Sequence, residues 1–451
     1  MTYVTLIFAA IAAVVAWRGT PMQALYMYLG CLLWYPEFLS APLGSLDFTA
    51  SRILVIACTL KIALQRGELE AFRPRRFDLL ILLIFSARIF SITMNESFGR
   101  ALEAVSGNFC NTVLPYFLVR ITIRTRERLD GFLRAFVILA LPLAVLGCIQ
   151  CVTGFNPYGF MRQFSTWTTL PQEDAVRWGL FRATVTFDQY IAFGLFFAAV
   201  LPFALAIRAA DSKRNWKLLA ALIILGGVLS SMSTAPMLAT VVSISFLLFY
   251  PFRRYAAVLI CVVIASLIFL EFASDRHFYE VGSRFAMDAS TAYDRVGLYK
   301  EAFGGGMSGH WIFGYGFVGV GAGNTNTYFD WEYKDFTSYY IEHLVKYGLV
   351  MVIPQLLKNL FYYVLLYRCF KALEHERDKW TVWCVAATLI GWNVAMLTVT
   401  TISVLPQLFY MFVALAASVD VALCTSRQND REYFEVEPLA TDAPLLAQGK
   451  T

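Results

Sequence analysis

The sequence predicts an all-α, polytopic membrane protein of about 12–14 transmembrane helices with one large external loop. Three observations carry this prediction. Of the 451 residues, 58% are apolar and only 15% charged, outside the usual range of soluble domains. Apolar runs near the ~20 residues that a helix needs to cross hydrocarbon recur along the chain. Arginine and lysine gather in alternate connections between those runs.

The apolar runs centre on residues 10, 29, 57, 85, 112, 143, 195, 224, 243, 264, 352, 389 and 414, about 13 spans in all. The first lacks the basic leader of a signal peptide and is followed by runs as apolar as itself, so it reads as a retained helix. The stretch 216–250 is long enough for two short crossings. Its polar SSMST at 230–234, with Pro236 behind it, marks the break between them. A hairpin of two short helices at the start, or a half-inserted segment over 101–116, would shift the count by one.

Basic residues cluster at 66–76, 120–134, 208–217, 253–254 and 368–379, and the positive-inside rule makes these connections cytoplasmic. Parity then puts 36–49, 93–103, 154–182 and 273–336 outside. The chain divides into a transmembrane helical region (1–272), the large outer loop (273–336), C-terminal transmembrane helices (337–424) and a polar, aperiodic tail (425–451). That tail is expected to be a disordered cytoplasmic end.

Several chemistries are set aside. The nine cysteines lie almost all in apolar runs or on the inner side, where no disulfide framework is expected. Cys148 and Cys151 have the spacing of a redox motif, but inside a span they read as packing. The four histidines, 277, 310, 343 and 375, are too scattered for a metal site. There is no HExxH, Walker loop or nucleophile elbow, so neither metal nor cofactor is suggested. A net charge of +5 does not point to nucleic acid. The stretch GYGFVGVGAGNTNT at 314–327 has a dinucleotide-like spacing, but it sits in an external loop with no strand before it. Eleven glycines between 273 and 336 instead predict a backbone folded tightly back on itself, against the membrane surface or a bulky ligand.

The outer side is rich in aromatic residues and arginine. Trp311, Phe313, Tyr315, Phe317, Tyr328, Phe329, Trp331, Tyr333 and Phe336 suit either an interfacial belt or stacking on sugar rings. Arg162, Arg177, Arg182, Arg276, Arg284 and Arg295 stand where positive charge is usually depleted. Either Glu173, Asp174, Asp275, Glu280, Asp288 and Asp294 neutralise them, or they hold an anion such as a lipid pyrophosphate. Arg182 is read as the start of a span, with Asp188 and Gln189 two turns deeper facing a hydrated cavity. Arg88 is an intramembrane charge for which snorkelling is the simplest account. Glu271 and Lys358 lie at or inside span ends.

Four segments, in this order, resemble the superfamily of O-antigen ligases and Wzy-type polysaccharide polymerases. They are RATVTFDQYIAFG at 182–194, LSSMSTAPMLA at 229–239, AYDRVGLYKEAF at 292–303 with IFGYGFVG at 312–319, and DFTSYYIEHLVKYGLV at 335–350. The resemblance implies a GT-C-like helical glycosyltransferase, inverting and metal-independent, in the bacterial inner membrane with its site on the periplasmic side. Its donor and acceptor would be oligosaccharides on undecaprenyl pyrophosphate, and its partners the lipid bilayer, a chain-length regulator and export machinery, with no nucleic acid and no cofactor. By motif position, Arg182 and Arg295 would hold the charge of the leaving pyrophosphate. Arg177, Arg284, Arg88, His310, Thr337, Asp188 and Tyr339 are the expected substrate-binding residues.

One departure matters. Where ligases place histidine, a small polar residue and a later glycine, this chain has Thr337, Ser338 and Gly348. A threonine hydroxyl is a poor base. Asp335 is the expected replacement, with His310 or Glu342 as alternatives and a helix cap as the plain reading of Asp335. His343 and Glu342 are expected to pack or bond locally. The missing histidine favours polymerase over ligase; a ligase with another base, or a transporter of lipid-linked oligosaccharide without chemistry, are the other readings.

Overall fold

Backbone groups in hydrocarbon must be satisfied within the segment, so the apolar runs fold as helices. The structure, a computed structural model, describes residues 2–43, 46–96, 98–165, 175–207, 214–255, 296–316 and 336–425, with single positions between 258 and 269. Its helices begin with α1 (Thr2–Arg18), α2 (Pro21–Trp34), α3 (Ala50–Leu64), α4 (Arg66–Glu70), α5 (Arg76–Asn95), α6 (Phe98–Asn108), α7 (Leu114–Thr122) and α8 (Arg126–Thr153). They continue with α9 (Tyr190–Ala206), α10 (Arg214–Ser230), α11 (Thr234–Leu248), α12 (Tyr339–Tyr347), α13 (Leu349–Ala372), α14 (Glu376–Met396) and α15 (Leu405–Asp420).

Two small antiparallel ribbons occupy connections for which the sequence predicts no element. In one, β1 (Ser40–Leu43) pairs with β2 (Leu46–Thr49), Ser40 opposite Thr49. In the other, β3 (Val176–Arg177) pairs with β4 (Leu180–Phe181), Val176 opposite Phe181. Among the described residues four helices are long and apolar enough to cross a membrane: α5, α8, α13 and the stretch Leu405–Cys424. Shorter apolar helices are α1, α9, the Trp216–Ser230 part of α10, and α11. The described chain is mostly helical, and by length and composition these helices suggest association with a membrane.

Local chemistry sets the boundaries. Thr20 caps α2 by a reciprocal capping box with Gln23, ahead of Pro21. Thr125 caps α8, and Gly154, at φ 74°, ends it. The expected break at 230–234 separates α10 from α11. The region 101–116 is not one helix: α6 leads through a π-helical turn (Phe109–Val113) into α7. Two boundaries differ from expectation. The span predicted to begin at Arg182 begins at Tyr190, because the Gln150 side chain accepts the Thr184 and Val185 N–H groups (3.0 and 2.9 Å) and so satisfies a buried, non-helical 183–188 that turns at Val185. The helix predicted from Thr337 begins at Tyr339, with Ser338 as its N-cap residue in β conformation.

Helices α9 and α15 are buried on nearly every side, as expected for the centre of a bundle. Phe136 of α8, Phe203 of α9 and Phe412 of α15 meet there, with ring centroids 5.4–5.9 Å apart. At one end of the bundle, acidic partners gather the basic connections. Arg75 pairs with Asp420, Arg126 with Asp378 at 2.6 Å, Arg128 with Glu68 at 2.9 Å, and Arg253 with Glu376 at 2.9 Å.

At the opposite end, the segment 311–316 lies across the junction of α12 and α13. Tyr315 N–H donates to the Val345 carbonyl (2.8 Å), Gly316 N–H to Lys346 (3.0 Å) and Leu349 N–H to Trp311 (2.8 Å). The backbones approach so closely that a Cβ on Gly348 would stand 2.2 Å from the Ile312 carbonyl oxygen, and one on Gly314 2.5 Å from that of Val345; both glycines have positive φ. Of the glycine-rich stretch, residues 314–316 fold tightly against a helix junction, and the rest of it lies outside the described residues. Gly348→Ala is expected to destabilise the folded protein by at least about 1 kcal/mol. A melting temperature in detergent checks this, and an unchanged value would contradict the close approach.

Candidate functional site

Helix α12 is only 9 residues long, and its buried face includes Tyr339, His343 and Tyr347, spaced i, i+4 and i+8. Such polar side chains stay buried only where something answers them. Here the answer is Arg88, in the middle of α5. Arg88 Nη2 lies 2.9 Å from His343 Nε2, and the guanidinium sits over the Tyr347 ring, 4.8 Å from its centroid. His343 Nδ1 lies 2.8 Å from the Tyr339 carbonyl oxygen. A carbonyl can only accept and a guanidinium can only donate. The imidazole is therefore neutral, with its proton on Nδ1 and its Nε2 lone pair turned to Arg88.

These groups line a cavity of about 120 Å³ together with Asn108, Thr112, Glu342, Lys346, Thr401, Phe409 and Tyr410. That is less than the roughly 300–1,000 Å³ of pockets that enclose whole drug-sized ligands, so the cavity fits one group of a larger ligand. Glu342 Oε1 accepts from Lys346 Nζ at 2.6 Å, so that pair cancels. Arg88 has no carboxylate within ion-pair distance among the described residues, so its charge is not cancelled by any of them. Two buried polar atoms on its lining residues, Arg88 Nε and Glu342 Oε2, have no hydrogen-bond partner among the described residues. One is a donor and the other an acceptor, and a ligand carrying an anion beside a hydroxyl would satisfy both.

A second cluster lies around the 230–234 turn and the non-helical segment before α9. Arg177 donates to the Met232 carbonyl at 3.2 Å. Arg182 reaches the Ser231 carbonyl (3.5 Å) and Ser233 Oγ (3.4 Å), and it stacks on the Tyr190 ring. Burial, with the neighbouring Arg177 charge adding to it, brings the Arg182 guanidinium down to about 10, which leaves it cationic at neutral pH. Asp188, in the same connection, is 4% exposed and has one oxygen without a partner. Burial raises its carboxyl to about 6 against the help of a Ser403 hydrogen bond. Ser403 also donates to the buried Glu37 at 3.2 Å, and Glu37 accepts from Ser51 as well. Arg162, 6% exposed, donates to Thr184 Oγ1 at 3.2 Å in the same region.

The structure therefore brings Arg88 and Tyr339 into one cavity, and Arg177 and Arg182 together at a separate place. Asp188 is buried beside the second group. His310 stacks on Tyr315, with centroids 3.9 Å apart, and does not line the cavity. Thr337 lies in the extended residues just ahead of α12, also off the cavity wall. Asp335, Arg295 and Arg284 lie outside the described residues, as do Arg276 and the acidic residues expected to neutralise the outer arginines. The cavity adds His343, Glu342, Lys346, Tyr347 and Tyr410. The i, i+4, i+8 recurrence of polar residues in α12 was the sequence signal for the first of these. No protein-family model and no curated protein matches the chain.

Because the Asp188 carboxyl titrates near 6 when folded and near 3.9 when unfolded, the folded state binds this proton more tightly. Its contribution to stability is fully present below about pH 4 and is lost as pH rises through about 6. Asp188→Asn is expected to leave the melting temperature in detergent little changed at pH 4 and to raise it at pH 8. A variant that melts lower than the parent at pH 8 would contradict this.

Proposed function

We propose that the protein polymerises repeat units of a bacterial surface or exopolysaccharide, transferring glycan from undecaprenyl pyrophosphate to the non-reducing end of another lipid-linked repeat unit. The setting would be the inner membrane, with a GT-C-like arrangement of about 12–14 spans, basic connections in the cytoplasm and the Arg88 cavity on the periplasmic side. One observation carries the reading: a guanidinium with no paired carboxylate and a carboxylate oxygen with no partner, each among the described residues, belong to the same small cavity, at the bundle end opposite the ion-paired arginines. The ordered resemblance in four segments supports it independently.

In this mechanism the acceptor hydroxyl gives its proton to Glu342 Oε2 as its oxygen attacks the anomeric carbon. The bond from that carbon to the pyrophosphate oxygen breaks, the configuration inverts, and Arg88 N–H groups hold the charge that develops on the leaving group. His343, its lone pair committed to Arg88, is a positioning residue and not the base. Arg177 and Arg182 would bind a second anionic part of the donor or acceptor, with Arg295 beside them as the resemblance implies. Glu342 takes the role first expected of Asp335 on the strength of its free oxygen, and a comparison of the two carboxylates decides between them.

The experiment supplies purified lipid-linked repeat units to membranes containing the protein and follows polymer length. Glu342→Gln is expected to slow elongation by about 10²–10⁴-fold and Arg88→Gln by about 10²–10³-fold, while Asp335→Asn stays near the parent rate. Loss confined to Asp335→Asn would move the base to that residue. In cells, loss of the protein is expected to leave single-repeat glycan; full-length polymer stranded on its carrier lipid would reject the polymerase reading in favour of a ligase.

A further inference from the structure

The inner, ion-paired end of the bundle holds a group of side chains that the proposed transferase does not use. Cys369 is near the end of α13, Asp420 closes α15, and Cys424 lies in the π-helical turn (Val421–Thr425) that follows. The two sulfurs are 2.9 Å apart, and the two sulfurs and a carboxylate oxygen of Asp420 all lie within 4.8 Å of one another. Cys369 is buried and the other two are half-buried, so the group is reachable from one side. Neither cysteine is in a disulfide. The wide π turn puts Cys424 beside Asp420 with both against α13, and such turns gather at functional positions.

We propose that Cys369, Asp420 and Cys424 bind a divalent ion of the zinc class. Two soft thiolates with one hard carboxylate suit a borderline ion such as zinc better than calcium or magnesium, which prefer oxygen alone. Charge supports the choice. Two thiolates and a carboxylate carry three negative charges, and the ion together with Arg75, paired to Asp420 Oδ2, carries three positive ones. The half-buried group is then neutral, whereas the same thiolates without an ion would be costly there. Arg75 also fixes the orientation of the carboxylate, the usual task of an outer partner at a metal site. Binding displaces two thiol protons to solvent and leaves a fourth coordination position for water. The ion would staple α13 to α15, and α15 carries Phe409 and Tyr410 into the cavity at the other end.

The test uses the full chain, purified in detergent, reduced and stripped of metal. Added Co²⁺ is expected to give thiolate-to-cobalt charge-transfer absorption that saturates near about one equivalent and disappears when Zn²⁺ is added. Cys369→Ser and Cys424→Ser are each expected to abolish the absorption, and Asp420→Asn to weaken binding at least about tenfold. Should the variants fail to fold, protection of Cys369 and Cys424 from alkylation by Zn²⁺ in the parent protein, read by mass spectrometry, serves in their place. No absorption and no protection, absorption that survives both serine variants, or isolation of the pair as a disulfide that Zn²⁺ does not prevent, would each overturn the proposal.

Discussion

The contact between Arg88 and His343 organises the end of the molecule that carries the cavity. A guanidinium inside an apolar span is costly by several kcal/mol unless it is answered, and the partner here is a neutral imidazole instead of a carboxylate. That arrangement works only while α12 is held in place against α5. The same face of α5 does the holding: Ser91 Oγ donates to the Phe313 carbonyl at 2.7 Å and Asn95 Nδ2 to the same oxygen at 2.9 Å. Residues 88, 91 and 95 fall at i, i+3 and i+7, one stripe of the helix. The segment 311–316 so anchored then bonds the end of α12, and the glycines at 314 and 348 let the two backbones meet.

The two ends of the bundle treat arginine in opposite ways. At one end Arg75, Arg126, Arg128 and Arg253 each meet a carboxylate. At the other, Arg88 and Arg182 are held by a ring face and by neutral oxygen or nitrogen atoms, and no carboxylate pairs with either among the described residues. Neutral partners orient a guanidinium without consuming its charge, so it remains available to an anion. Buried charge of this kind does little for stability, and its retention points to ligand binding.

Much of the fold was legible in the sequence because the bilayer imposes length and polarity on each span. The break at 230–234 followed from a polar turn before proline. The segment 182–189 was not legible. It has the apolar character of a helix start, and Gln150, more than thirty residues earlier, is what lets the backbone turn there instead. The site was legible in part. Arg88 stood out as an intramembrane charge and Tyr339 by its motif, but snorkelling explained Arg88 more simply until α12 was seen packed against it. Glu342 does bond locally, to Lys346 one turn on, whereas His343 looked local because its Nε2 partner comes from a helix some 250 residues away in sequence.

The most direct measurement is a cryo-electron-microscopy map of the protein with undecaprenyl pyrophosphate bound. The account predicts diphosphate density within hydrogen-bonding distance of Arg88 Nε, beside Glu342, with Arg88 still touching His343. Diphosphate bound only at Arg177 and Arg182, with the Arg88 cavity unchanged, would contradict it.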